Sequence, residues 1–257
     1  MKNIFALILC IIVLFLASCG SKSEEPPQDS TFSESPYEKD YGNFSTVNKS
    51  QPSNDRQKQI KSSEKDYNTG SDYSEKRLDE ILSSAKKIKN FGSLAYPNAA
   101  KFMAHYLSNS GEEYEVDMEK FLKDSIANQN METDIEKAKQ AAEELIIDGE
   151  TINIYQKTES LYHNLTGDWK YCLGSYFAYV EMYGISFDGT TYTATVKYTV
   201  IDFYNWDKND DKVIFSGLVG GIIGDVSPKD LHQLHINGQA KEILSKGETT
   251  YQISWEK

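Results

Sequence analysis

Cysteine is scarce in this chain of 257 residues, which holds 3, at positions 10, 19 and 172. That excludes a disulfide-framed fold and a cysteine-ligated zinc site. Basic residues are outnumbered, 27 Lys and Arg against 39 Asp and Glu, for a net charge of −12. A nucleic-acid partner or an anionic lipid surface calls for a basic face, so both are set aside. Apolar runs are short everywhere except residues 4–16. The glycines at 217–224 do not form GxGxxG, no HExxH occurs, and no internal repeat is present. Nothing in the residue pattern calls for a cofactor.

The first 20 residues organise what is there. Lys2 supplies a positive start, Ile4 to Leu16 form an apolar run too short to span a bilayer comfortably, and Leu16-Ala17-Ser18-Cys19 ends it. This tetrapeptide resembles the lipobox of bacterial lipoproteins. The resemblance implies a signal peptide over residues 1–18, and lipidation of Cys19, palmitate included, as the new N-terminus. It also implies a chain held to the lipid bilayer through acylated Cys19, in the cell envelope outside the cytoplasm. Two or three acyl chains at about 0.8 kcal/mol per buried methylene make such an anchor nearly permanent. Gly20 stands where an Asp would resemble an inner-membrane retention signal, and Ser21-Lys22-Ser23-Glu24-Glu25 looks like the export tag of some surface lipoproteins. Where two membranes are present, the expected place is the outer membrane or the cell surface. With Cys10 removed and Cys19 in thioether linkage, Cys172 remains alone, and it reads as a small core residue.

Residues 19–70 are rich in Ser, Asn, Gln, Lys, Glu, Asp and Pro and nearly devoid of aliphatic side chains. They cannot bury enough surface to offset their ordering entropy, so they read as a disordered tether. The acid excess sits beyond them, with 19 basic against 30 acidic residues over positions 71–257. That stretch is expected to be one globular domain, helical over about 71–147 and sheet-forming over about 150–257.

Helical spacing is seen in Leu78, Ile81, Leu82, Ala85 and Ile88, and again in Phe102, Met103, Tyr106 and Leu107 behind an initial Pro97. Asp117 can cap a third helix, and Thr133 with Glu136 forms a capping box for a fourth, which Asp148-Gly149 would stop. The period then changes to two. Tyr171–Phe187 and Thr190–Tyr204 read as strands joined by the hairpin signal Asp188-Gly189, and the 17 tyrosines point to sheet surfaces and interfaces. Val213–Ile223 reads as another strand. Ser227-Pro228-Lys229-Asp230 opens a short helix, Asn237-Gly238 ends it, and Thr249–Trp255 is a closing strand. The expected class is α+β: N-terminal helices, then a mainly antiparallel sheet with a covering C-terminal helix.

Short pieces from residue 95 onward carry a second likeness. They include His105-Tyr106-Leu107-Ser108-Asn109-Ser110-Gly111, Asp202-Phe203-Tyr204-Asn205-Trp206-Asp207, the run from Leu231 to Glu242, and Ser254-Trp255. Together they resemble a module at the C-termini of Rhs-like polymorphic toxins, which transfers no catalytic assignment. Among residues able to do chemistry, His232 and His235 stand three apart on the expected helix, and Asp202 or Asp207 could complete an acid–base pair or a metal site. The metal content of such a site is unknown. His232 is expected to face water if the helix merely covers the sheet, and His105 to pack in the core. The leading expectation is a tethered, non-enzymatic module that binds an envelope or surface protein or a glycan. The alternative is a toxin-like hydrolase using Asp202, Asp207, His232 and His235.

The anchoring expectation has a direct check. Cys19→Ala should abolish palmitate labelling and leave an unprocessed or released precursor; normal processing and membrane retention of that variant would overturn it.

Overall fold

A computed structural model describes residues 37–40, 54–145, 152–156, 165, 167–174, 176–212 and 226–257. The leader, Cys19, the expected stop at Asp148-Gly149 and the expected strand at Val213–Ile223 lie outside these. The fold is α+β and divides into two compact units: a helical one holding residues 61–112 and 204–243, and a sheet one holding residues 113–203 and 244–257 together with 33–60. Among the described residues no helix is long and apolar enough to cross a membrane.

The helical unit begins inside the segment assigned to the tether. Helix α1 spans Asn54–Asp66, and Ser63 on it is buried. The composition that suggested disorder describes a helix with one small buried polar contact rather than an apolar stripe. Helix α2 (Glu75–Ala95) buries Leu78, Ile81 and Ala85, and α3 (Pro97–Ser108) buries Ala100, Phe102, Met103 and Tyr106. Pro97 occupies the first helical position, and Asn109 closes α3 in the left-handed region at φ 61°. The Tyr106 ring meets Tyr204 and Trp206 edge-on at centroid distances of 6.2 and 6.1 Å, and its hydroxyl donates to the Leu231 carbonyl at 2.5 Å.

In the sheet unit, six strands run in the order β1 (Tyr37–Asp40), β3 (Ile152–Gln156), β4 (Phe177–Phe187), β5 (Thr191–Tyr204), β6 (Ile243–Glu256) and β2 (Tyr114–Glu115). β1–β3, β3–β4 and β4–β5 pair antiparallel, while β2 lies parallel to β6. The β4–β5 hairpin turns at Asp188-Gly189 as expected: Gly189 takes φ 99°, and Asp188 Oδ1 accepts the amides of Thr190 and Thr191. Those backbone amides hold the Asp188 carboxyl below its usual range. Near β6, a Cβ on Gly247 would lie 2.6 Å from Met118 Sδ and 2.9 Å from the Val116 carbonyl, so β2 can approach only because that side chain is missing.

Asp117 caps the single turn α4 (Met118–Phe121) by accepting from the Lys120 amide at 3.1 Å. Helix α5 (Ser125–Leu145) starts two turns before the Thr133–Glu136 box. Asp124 Oδ1 accepts the amides of Ile126 and Ala127, whereas the Thr133 hydroxyl donates within the helix to the Gln129 carbonyl. It is α5, not a C-terminal helix, that lies on the sheet in this unit: Asn130 donates to the Tyr176 hydroxyl at 3.2 Å, and Trp255 Nε1 donates to Glu143 at 3.0 Å. The last element of the chain is a strand, β6. Tyr176, Tyr179, Tyr192 and Tyr198 are among the largest fully buried side chains, so many tyrosines expected on surfaces are core.

One buried carboxyl costs this unit stability. Asp134 on α5 faces the Tyr198 hydroxyl at 3.5 Å, and burial raises its pKa to about 6 against the smaller opposing pull of Lys137. A carboxyl raised in the folded state favours folding below its unfolded pKa of about 4, and that contribution is lost as pH rises through about 6. Asp134→Asn should therefore raise the melting temperature at pH 7.5, and the gain should shrink as pH falls from 6 to 4. A pH-independent difference measured by scanning calorimetry would refute this assignment.

Candidate functional site

Helix α6 (Pro228–Ile236) carries the candidate histidines, and its start is fixed locally. Ser227 accepts the Asp230 amide, Asp230 accepts the Ser227 amide, and Pro228 takes the first helical position. Arg77 of α2 donates to Asp230 at 3.1 Å, so the first turn is tied to a neighbouring helix. At the other end, Gly238 (φ 68°) reverses the chain, with its amide and that of Gln239 donating to the carbonyls of His235 and Leu234. The reversal carries Glu242 back along the helix.

Glu242 is the centre of the site. His232 Nδ1 donates to Glu242 Oε1 at 2.8 Å, and the Trp206 amide donates to the same oxygen at 3.2 Å. Burial works to raise the Glu242 carboxyl, but the hydrogen bond from His232 and the nearness of His235 and Ser63 together hold it below its ordinary value. His235 stacks on His232 at a centroid distance of 5.7 Å. Its Nδ1 accepts the Glu242 amide at 3.2 Å, and its Nε2 donates to the Ser63 carbonyl at 2.8 Å. Burial is the main cause of its lowered pKa.

Both histidines are buried, so the expectation that His232 faces water does not hold. The reversal after Gly238 lays a chain segment and a carboxylate against the side of α6 that periodicity left exposed. His232 Nε2 and Trp206 Nε1 are buried and have no hydrogen-bond partner among the described residues. Asp207 is exposed and serves a turn: its Oδ1 accepts the Asn209 amide at 2.8 Å and its carbonyl accepts that of Asp210. Asp202 is buried on β5 in the sheet unit. The structure thus joins His232 to His235 and gives Asp207 a separate task. Sequence reasoning passed over the carboxylate partner, Glu242, and Ser63. The ten-residue spacing across Asn237-Gly238 could have signalled Glu242; nothing in the polar stretch singled out Ser63.

Among the described residues no group of three or more His, Cys, Asp or Glu is placed to hold a metal ion. His105 is half-buried, with Nε2 donating to the Glu112 carbonyl at 2.8 Å. Cys172 is buried as expected, its thiol donates to the Asp168 carbonyl, and burial pushes its pKa far up, which leaves it a poor nucleophile.

Removing the central acceptor should be costly. Glu242→Ala strands the His232 Nδ1–H and the Trp206 amide without an acceptor, with an expected loss of about 1–3 kcal/mol for each donor in urea unfolding; a total loss below about 1 kcal/mol would show the network to be incidental. Compared with known proteins, the chain matches no family model, no curated protein and no solved structure.

Proposed function

We propose that this protein is a membrane-tethered, extracytoplasmic binding module, anchored through lipidated Cys19 and engaging a polar envelope or surface partner, a protein or a glycan. The observation that carries this reading is an open polar area on the sheet. Thr193, Glu248, Thr250, Gln252 and Ser254 are exposed, and Thr191, Thr195 and Lys197 are half-buried beside them. Lys197 bonds Glu248 at 3.0 Å across the strands, which sets the even-numbered residues of β6 on the same side as the threonines of β5. Ser186 and Thr193 share a hydroxyl–hydroxyl bond of 2.8 Å. Tyr251 and Trp255 contact α5 instead, so hydroxyl, amide and carboxylate groups dominate this area. Such a surface recognises by hydrogen bonds and suits a hydrated partner.

A second reading, a toxin-like hydrolase, draws support from the His232–Glu242 pair. A carboxylate on Nδ1 fixes the tautomer and leaves Nε2 as the basic nitrogen, the arrangement of a general base. The readings separate experimentally. A photo-crosslinking residue at Thr193 or Thr250, in cells, should give a discrete adduct that is absent with the same residue at Glu119. No adduct at either strand position would reject the binding reading. Toxicity of the exported domain, abolished by His232→Gln without a change in melting temperature, would replace it with the hydrolase.

A further inference from the structure

We propose that the outer edge of β6 pairs antiparallel with the same edge of a second copy, joining two sheets about a twofold axis at Ile253. That edge is long and mostly uncovered. β2 lies along only Ser245 and Lys246, and among the described residues no other strand pairs there. The Val116 amide donates to the Lys246 carbonyl at 2.8 Å, and the chain then turns into α4. From Thr249 onward, β6 has a strand neighbour among the described residues on its β5 side alone.

Which backbone groups point outward follows from the period of two. The Lys257 amide donates to the Thr190 carbonyl, and Trp255 stacks on Tyr192, so β5 and β6 run antiparallel. Lys257 is odd-numbered, so the odd residues of β6 turn their amides and carbonyls toward β5. The even residues turn theirs away, as the Lys246 carbonyl does. Burial alternates along β6 without a break, so no bulge reverses this order. Thr250, Gln252, Ser254 and Glu256 therefore hold their backbone groups out along the open side. Thr249–Ser254 carries no charge and no proline, the devices that usually keep an edge from pairing.

The side chains favour a second copy in one register. With Ile253 facing its counterpart, Gln252 stands opposite Ser254 of the second copy and Thr250 opposite Glu256, each pair exchanging both backbone bonds. On the other face Tyr251 stands opposite Trp255, an aromatic cross-strand pair. Tyr251, Ile253 and Trp255 are half-buried beside α5, and the second copy covers what is left open. An axis at Gln252 would set Glu248 against Glu256. An axis at Tyr251 would need the Lys246 carbonyl, which the Val116 amide already occupies. Opposed residues share a face, so the dimer presents the polar area of both copies on one side. The pairing uses the backbone edge of β6, and it stands whatever that area binds.

Oxidative crosslinking of the full-length chain in phosphatidylcholine vesicles tests the pairing. Ile253→Cys should give a disulfide dimer, because residues opposed in this register bring their Cβ atoms to about 5 Å. The unaltered chain should not, nor should Thr193→Cys, whose strand lies about 14 Å from its counterpart. Adding Gln252→Lys sets two lysines diagonally across the axis and should cut the yield about tenfold or more without moving the melting temperature. Amide-resolved hydrogen exchange in mild detergent reads the same edge without a cysteine. In the unaltered chain the Gln252 and Ser254 amides should be as protected as those of Ile253 and Trp255. In Gln252→Lys the even set should exchange about tenfold or more faster while the odd set keeps its rates. Absence of the Ile253→Cys dimer, a yield unmoved by Gln252→Lys, or free exchange of the even amides in the unaltered chain would each overturn the proposal. Even amides that stay protected in Gln252→Lys would do so too, by showing that something other than a second copy covers the edge.

Discussion

A carboxylate taken out of water must be given partners, and in the helical unit that requirement falls on Glu242. Its oxygen gathers a histidine side chain and the Trp206 amide, while its own amide is committed to a second histidine. Leaving such a group unpaired costs several kcal/mol, so α6, the chain reversal behind it and the Trp206 loop are held in one arrangement. The aromatic cluster of Tyr106, Tyr204 and Trp206 adds apolar area, but it does not by itself fix where a helix stops along its axis. The network does.

The sheet unit is held by different physics. α5 lays a stripe of Ala127, Met131, Ile135, Ala138 and Ala142 over one side of the strands, and the strands answer with buried Val180, Met182, Val196 and Tyr198. Small residues on the helix leave room for tyrosine rings beneath it. On the other side, burial at Phe177, Tyr179 and Ile201 gives way to exposed Thr193 and Thr250. One sheet thus serves as a core at one end and offers hydrogen-bonding groups at the other.

Much of the local structure was legible in the sequence. Pro97, Ser227-Pro228, Asp117, Asp188-Gly189 and Asn237-Gly238 each act through the residue's own backbone limits or its reach to an amide two or three residues on, and each does so where expected. The Thr133–Glu136 box misled because Asp124 offered an equally good cap earlier, and a helix once begun prefers to extend. α1 was hidden because composition weighs apolar area, and this helix docks through a hydroxyl and a carbonyl.

The sequence by itself determined the class of the fold, the turns, most of the helix starts and the pair of histidines on one helix. These depend on interactions within a few residues. Only the tertiary structure decided that Glu242 would stand beside His232 and that Ser63 would reach His235. Those outcomes depend on which segments meet after the chain reverses, and no periodicity records a single contact between residues 172 positions apart.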